Sequence, residues 1–138
     1  MMTINQTADA IAEDFTCLED WEMRYAHLID IGKNNPPLAP HERTDATRVR
    51  GCASQVWMVI DTDDQNRLTI RAESDALIVS GLIGLLTRLY SGATASDIVG
   101  FDAPGYLERI GVSGALSAQR SNGLSAMLAR IREAAVAS

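Results

Sequence analysis

The sequence predicts an α+β domain, in which helices pack over one face of a small antiparallel β-sheet. Two observations lead to this prediction. Apolar residues recur at helical spacing near both ends of the chain, whereas residues 53–72 alternate with the period of β-strands. With 138 residues and no internal repeat, the chain fits a single domain over residues 1–138.

The N-terminal part predicts two short helices that form a hairpin. Ile11, Phe15 and Leu18 share one face of the first helix. Asp20 is a candidate N-cap for the second helix, and Gly32 is a candidate residue to close it. Residues 33–47 follow as a proline-containing loop, since proline is excluded from helix interiors.

The middle of the chain predicts a β-hairpin. Residues 53–60 can place Ser54, Val56, Met58 and Ile60 on one face, which fits a half-buried strand. Residues 61–66 are polar and predict the turn, and residues 68–72 alternate again as the return strand.

Helices are predicted for most of the remaining chain. Ser74 or Asp75 is expected to cap a central apolar helix that runs to about Tyr90, in which Gly81 and Gly84 would let another backbone come close. Residues 94–97 resemble a capping box with Thr94 as the cap and predict a short helix that ends near Gly100. A second short helix is predicted from Pro104 to Ile110, and a long last helix is predicted after its cap, Ser117.

The net charge of −6 argues against a protein that binds nucleic acid or an anionic membrane surface. The first residues show no secretory signal, and no apolar stretch is long enough to span a bilayer. We therefore expect a soluble cytoplasmic protein whose thiols are reduced. The spacing of Cys17, Cys52, His27 and His41 predicts no metal site.

Cys52 is the residue best suited to chemistry. It follows Gly51 at the start of a predicted strand, and Arg48 and Arg50 precede it. Positive charge near a thiol favours the reactive thiolate. These features alone leave two readings open, because a single cysteine at a strand start is often only a small buried hydrophobe.

The stretch Gly51-Cys52-Ala53-Ser54-Gln55-Val56-Trp57 resembles the Gly-Cys-x-Ser-Gln-Val-Trp pattern of the SufE family, the sulfur acceptors of cysteine desulfurases. Further similar stretches lie at residues 21–25, 74–82, 97–99 and 120–124, in the same order. The resemblance therefore covers nearly the whole chain.

The resemblance implies that Cys52 takes sulfur from the persulfide of a cysteine desulfurase and passes it to an iron–sulfur scaffold. It implies no cofactor on this chain, since the pyridoxal phosphate belongs to the desulfurase. The partner would be a desulfurase of the SufS or CsdA type, and the sequence does not decide between them. A homodimer is left open.

The resemblance also implies supporting roles near the cysteine. Gly51 and Ser54 would support the loop or pocket. Gln55 and Trp57 would shape the pocket or, as strand residues, serve core packing instead. Asp75 would affect the mobility of the cysteine loop. Arg120 would stabilise a thiolate or bind the partner, or else brace the last helix.

Two other functions remain open at this point. An iron–sulfur scaffold of similar fold would need several ligands, whereas this sequence offers one cysteine at the right place. A non-catalytic regulator of a desulfurase would leave Cys52 without a chemical role.

Overall fold

A computed structural model of the chain describes residues 3–52, 54–90, 92–112 and 116–137. Within these ranges it contains six α-helices, one 3-10 helix and one two-stranded antiparallel sheet, which confirms the predicted α+β class. None of the helices in the described ranges has the length and apolarity needed to cross a membrane. In chain order the elements are α1 (Ile4–Thr16), α2 (Trp21–Gly32), the 3-10 helix (Pro40–Glu42), β1 (Val56–Thr62), β2 (Leu68–Ser74), α3 (Leu77–Tyr90), α4 (Ala95–Gly100), α5 (Ala103–Arg109) and α6 (Ala118–Val136).

The two strands pair in a register that sets their buried face. Met58 lies opposite Ala72, and both are buried against α3 and the rest of the core. The first strand starts later than predicted and continues to Thr62, so the connecting turn is shorter. Ala53, where the strand was expected to begin, lies outside the described residues.

Helix α3 forms the centre of the fold, and α2 packs closely along it. A Cβ atom at Gly32 would lie 2.6 Å from the backbone nitrogen of Gly81, and a Cβ atom at Gly81 would collide with the carbonyl of Leu28. The prediction that Gly81 allows close backbone approach is therefore confirmed. Gly32 is the last residue of α2 and Lys33 is its C-cap, so Gly32 serves this packing rather than a turn beyond the helix.

Three of the predicted helix caps are confirmed. The side chains of Asp20, Thr94 and Ser117 each accept a hydrogen bond from a backbone N–H in the first turn of the helix that follows. Helix α5 begins one residue before Pro104, with Asp102 as its N-cap. The predicted hairpin of α1 and α2 is wrong, because α2 packs mainly on α3.

The loop at residues 33–47 covers the outer face of the sheet. The carboxylate of Glu73 accepts hydrogen bonds from the backbone N–H of Leu38 and from Arg43. The guanidinium of Arg71 donates to both carboxylate oxygens of Glu42, and this contact lowers the pKa of Glu42 to about 2. These contacts bring the end of the loop alongside β1, just before the residues around Cys52.

Candidate functional site

Cys52 lies on the loop that precedes β1, which the structure describes at residues 50–52 and 54–55. The backbone N–H of Val49 donates to the carbonyl of Val56 at 2.8 Å, and Arg48 forms an antiparallel bridge with Trp57. These contacts pair the two ends of the loop as in a hairpin. The fold therefore fixes the base of the loop while its tip reaches towards α6.

Gly51 has the backbone conformation that this loop requires. Its φ of +94° lies in the left-handed region, where side chains are rarely tolerated. A Cβ atom added at Gly51 would also lie 3.3 Å from the Cβ of Ala126 on α6. Glycine at position 51 thus permits the turn just before Cys52 and lets the backbone there lie close to α6.

The thiol of Cys52 is half-buried against α6. Its Sγ contacts the carbonyl oxygen of Gly123 at 3.5 Å, the geometry of a weak S–H donor. Beside it is a small pocket of about 30 Å³, room for one water-sized group. The pocket is mostly apolar and is lined by Cys52, Ser54, Val79, Leu82, Gln119, Arg120, Gly123, Leu124 and Met127.

Burial sets the protonation of the thiol. Desolvation raises the pKa of Cys52 above its ordinary value, because the charged thiolate is less well solvated in this pocket. The expected effect of Arg48 and Arg50 on the thiolate is not found. Both residues line a separate groove together with Arg130. In this position of the loop the cysteine is sheltered and protonated.

The outgoing end of the loop is tied to Asp75. One carboxylate oxygen of Asp75 accepts a hydrogen bond from the backbone N–H of Gln55 at 3.0 Å, and the N–H of Asp75 faces the carbonyl of Gln55 at 3.4 Å. Asp75 therefore holds the loop and is not the N-cap of α3. The hydroxyl of Ser74 accepts from the N–H of Ala76 just before that helix begins.

Arg120 lies in the first turn of α6, beside the cysteine pocket. It lines the cysteine pocket, and its guanidinium carbon lies 5.8 Å from the centre of the Tyr25 ring on α2. Its backbone N–H donates to the cap residue Ser117. The contact with Tyr25 links the start of α6 to α2, and a role of Arg120 towards the thiol or a partner stays a prediction.

A comparison with protein families matches residues 9–135 to the model "SufE: Fe-S metabolism associated domain". The chain belongs to the SufE family. An uncharacterised SufE-like protein of Rhizobium etli is 47% identical over 130 residues, which cover 92% of this chain and 88% of the relative. A second, of Rhizobium meliloti, is 44% identical over 131 residues, covering 92% and 93%.

A solved structure shows the same fold. The solution structure of a hypothetical protein from Thermus thermophilus superposes with a TM-score of 0.76, covering 96% of this chain and 97% of that one. At 22% identity this likeness concerns the fold alone. The SufE family model connects the chain with iron–sulfur metabolism.

The SufE fold brings some of the predicted site residues together and separates others. Ser54 and Arg120 share the pocket with Cys52, whereas Gln55 acts through its backbone at the loop. Trp57 lies on the opposite face of β1, across from Glu73, and does not line the pocket. Within the described residues no group of three or more His, Cys, Asp or Glu side chains is arranged to hold a metal ion.

Gly123 lines the site beside the thiol, and the sequence predicted no role for it. It lies within α6, where glycine lowers helix stability, and its carbonyl and Cα face the thiol of Cys52. The signal was present, because the same reasoning that singled out Gly81 applies to a glycine in the last helix. Its partner, 71 residues away in sequence, could not be read from the pattern.

Proposed function

We propose that this SufE-family protein is a sulfur acceptor that carries a persulfide on Cys52. The observation that carries the proposal is the position of Cys52. Its thiol lies at the tip of a loop anchored at its base, against a small, mostly apolar pocket. A loop position lets the thiol reach a partner protein, and the adjoining pocket can shield a bound persulfide sulfur from solvent.

The transfer needs only thiol exchange. The thiolate of Cys52 attacks the outer sulfur of a persulfide on a cysteine desulfurase, so that one S–S bond breaks as another forms. The products are a persulfide on Cys52 and a free thiolate on the desulfurase, which takes up the proton that Cys52 lost. No net oxidation occurs, and no cofactor on this chain is required; the pyridoxal phosphate remains with the desulfurase.

The raised pKa of Cys52 implies that the loop has to move for the thiol to react. A protonated thiol is a poor nucleophile, so the sheltered position is a resting state. For attack, the loop must carry Cys52 out of its pocket towards the desulfurase, where the thiolate is better solvated. After transfer, return to the pocket would keep water and oxidants from the persulfide, until it passes to an iron–sulfur scaffold.

The test is mass spectrometry after incubation with a cysteine desulfurase, pyridoxal phosphate and cysteine. We expect an added mass of about 32 Da, one sulfur atom, on the peptide that contains Cys52. Cys17→Ser is the matched control, because Cys17 is exposed at the end of α1 and should not be needed. Sulfur on Cys17 alone, or full stimulation of the desulfurase by Cys52→Ser, would contradict the proposal.

A further inference from the structure

The incoming end of the cysteine loop meets α6 in a groove of about 450 Å³. Arg130 of α6 lies in this groove and donates from Nη1 to the carbonyl of Arg48 at 3.2 Å. Its Nη2 donates to the carbonyl of Ala46. The other charged groups that line the groove are Asp45, Arg48, Arg50 and Glu133.

The two carbonyls belong to a turn over residues 44–48, in which the backbone N–H of Arg48 donates to the carbonyl of Thr44 at 3.0 Å. The carbonyl of Thr47 accepts from the N–H of Met58 at 2.8 Å, so one side of the segment is paired with β1. The carbonyls of the residues on either side of Thr47, Ala46 and Arg48, accept from Arg130 instead. A planar guanidinium can satisfy two such acceptors at once. Arg130 thus ties this turn to α6.

Arg130 belongs to a stripe of α6 that follows the loop from tip to base. The carbonyl of Gly123 contacts the thiol of Cys52, and Ala126 lies against Gly51. Arg130 follows at the next turn, and residues spaced three, four and seven apart share one face of a helix. The helix that forms the wall of the pocket therefore also holds the segment from which the loop departs.

We propose that Arg130 is a positioning residue that fixes the base of the cysteine loop on α6 and so keeps Cys52 seated against Gly123. It acts through the carbonyls of Ala46 and Arg48 and does not touch the reacting sulfur. Its importance for sulfur transfer rests on the function proposed above. Its effect on the seating of Cys52 can be measured in the free protein, without a desulfurase.

The test is the rate at which iodoacetamide alkylates Cys52 as a function of pH, in a Cys17→Ser background. Arg130→Met keeps the apolar stem and removes the donors, so we expect alkylation on the order of tenfold faster, the change given by losing about one charge-assisted hydrogen bond. The pH profile should also move to lower pH, because an unseated thiol is better solvated. Arg130→Lys retains a donor, so its alkylation rate should lie between those of the wild-type protein and Arg130→Met.

Arg132→Met is the matched control. Arg132 lies on the same helix and also donates to a backbone carbonyl, that of Val99 at 3.2 Å, but away from the cysteine loop. We expect it to leave the rate and the pH profile unchanged. Wild-type reactivity in Arg130→Met, or an equal increase in Arg132→Met, would overturn the proposal. If Arg130→Met does not fold by circular dichroism, the comparison of Arg130→Lys with Arg132→Met decides the question.

Discussion

The carboxylate of Asp75 and the backbone N–H of Gln55 are joined by a 3.0 Å hydrogen bond across 20 residues of chain. The bond links the outgoing end of the cysteine loop to the residues just before α3. Together with the Val49–Val56 bond at the base, it limits how far Cys52 can move without a contact being broken. An exposed carboxylate outside the pocket can therefore influence the reactivity of a thiol that it does not touch.

Loss of the Asp75 acceptor should expose Cys52. In Asp75→Ala the N–H of Gln55 loses its side-chain partner, so we expect alkylation of Cys52 in the free protein to become a few-fold faster. Asp75→Asn is the matched control, because an amide oxygen can accept the same bond. Equal acceleration in both variants would mean that the charge of Asp75, rather than its hydrogen bond, holds the loop.

Gly123→Ala should shorten the lifetime of a persulfide on Cys52 without lowering the stability of the fold. A Cβ at this position would lie 3.5 Å from the Sγ of Cys52, an ordinary contact, and alanine favours the helix by about 1 kcal/mol over glycine. We expect the melting temperature to stay the same or rise. The methyl group would occupy space beside the thiol, so the lifetime of a persulfide on Cys52 should fall in a mass-spectrometric decay assay. An unchanged lifetime would show that the outer sulfur does not use this side of the pocket.

The reactivity of Cys52 should depend on pH as expected for a buried thiol. Because burial raises its pKa, the midpoint of the alkylation profile should lie above that of the same chain unfolded in urea. The folded state binds the proton more tightly, so this contribution to stability is full below the pKa of the free thiol. It is lost as pH rises through the raised pKa.

The measurement for this linkage is urea unfolding at several pH values, with Cys52→Ala for comparison. As pH rises through the pKa of Cys52, the unfolding free energy of the wild-type protein should fall by the contribution of the thiol, whereas that of Cys52→Ala should not show this decrease. A folded midpoint below the unfolded one would mean that a positive charge, and not burial, dominates the environment of Cys52.

Gly81→Ala should destabilise the fold strongly. The added methyl group would collide with the backbone of Leu28, and backbone atoms of two packed helices cannot shift as a flexible side chain can. We expect a loss on the order of 3 kcal/mol in unfolding free energy, the upper range for overpacking. Gly100→Ala is the control, because nothing lies within 4 Å of a Cβ at that position. It should change the unfolding free energy by less than about 0.5 kcal/mol.

Much of the fold follows from local rules. The caps Asp20, Thr94 and Ser117 act over three residues, and such short-range hydrogen bonds can be read directly from the chain. The predicted hairpin of α1 and α2 is wrong because the periodicity of a helix shows that it has an apolar face but not which helix covers that face. The local pattern offered Ser74 or Asp75 as the cap of α3, and it did not show the hydrogen bond between Asp75 and Gln55, which lie 20 residues apart.

The sequence by itself determined the α+β class and the family, and it singled out Cys52 as the central residue of the candidate site. These depend on composition, periodicity and a contiguous run of residues around one cysteine. Only the tertiary structure decided the surroundings of the thiol. It placed Gly123 beside Cys52, brought Arg130 to the base of the loop, and raised the pKa of Cys52 where the neighbouring arginines predicted the opposite. Burial and long-range contacts arise from tertiary packing. Packing brings together residues that are far apart in the chain, and local sequence patterns do not reveal such pairs.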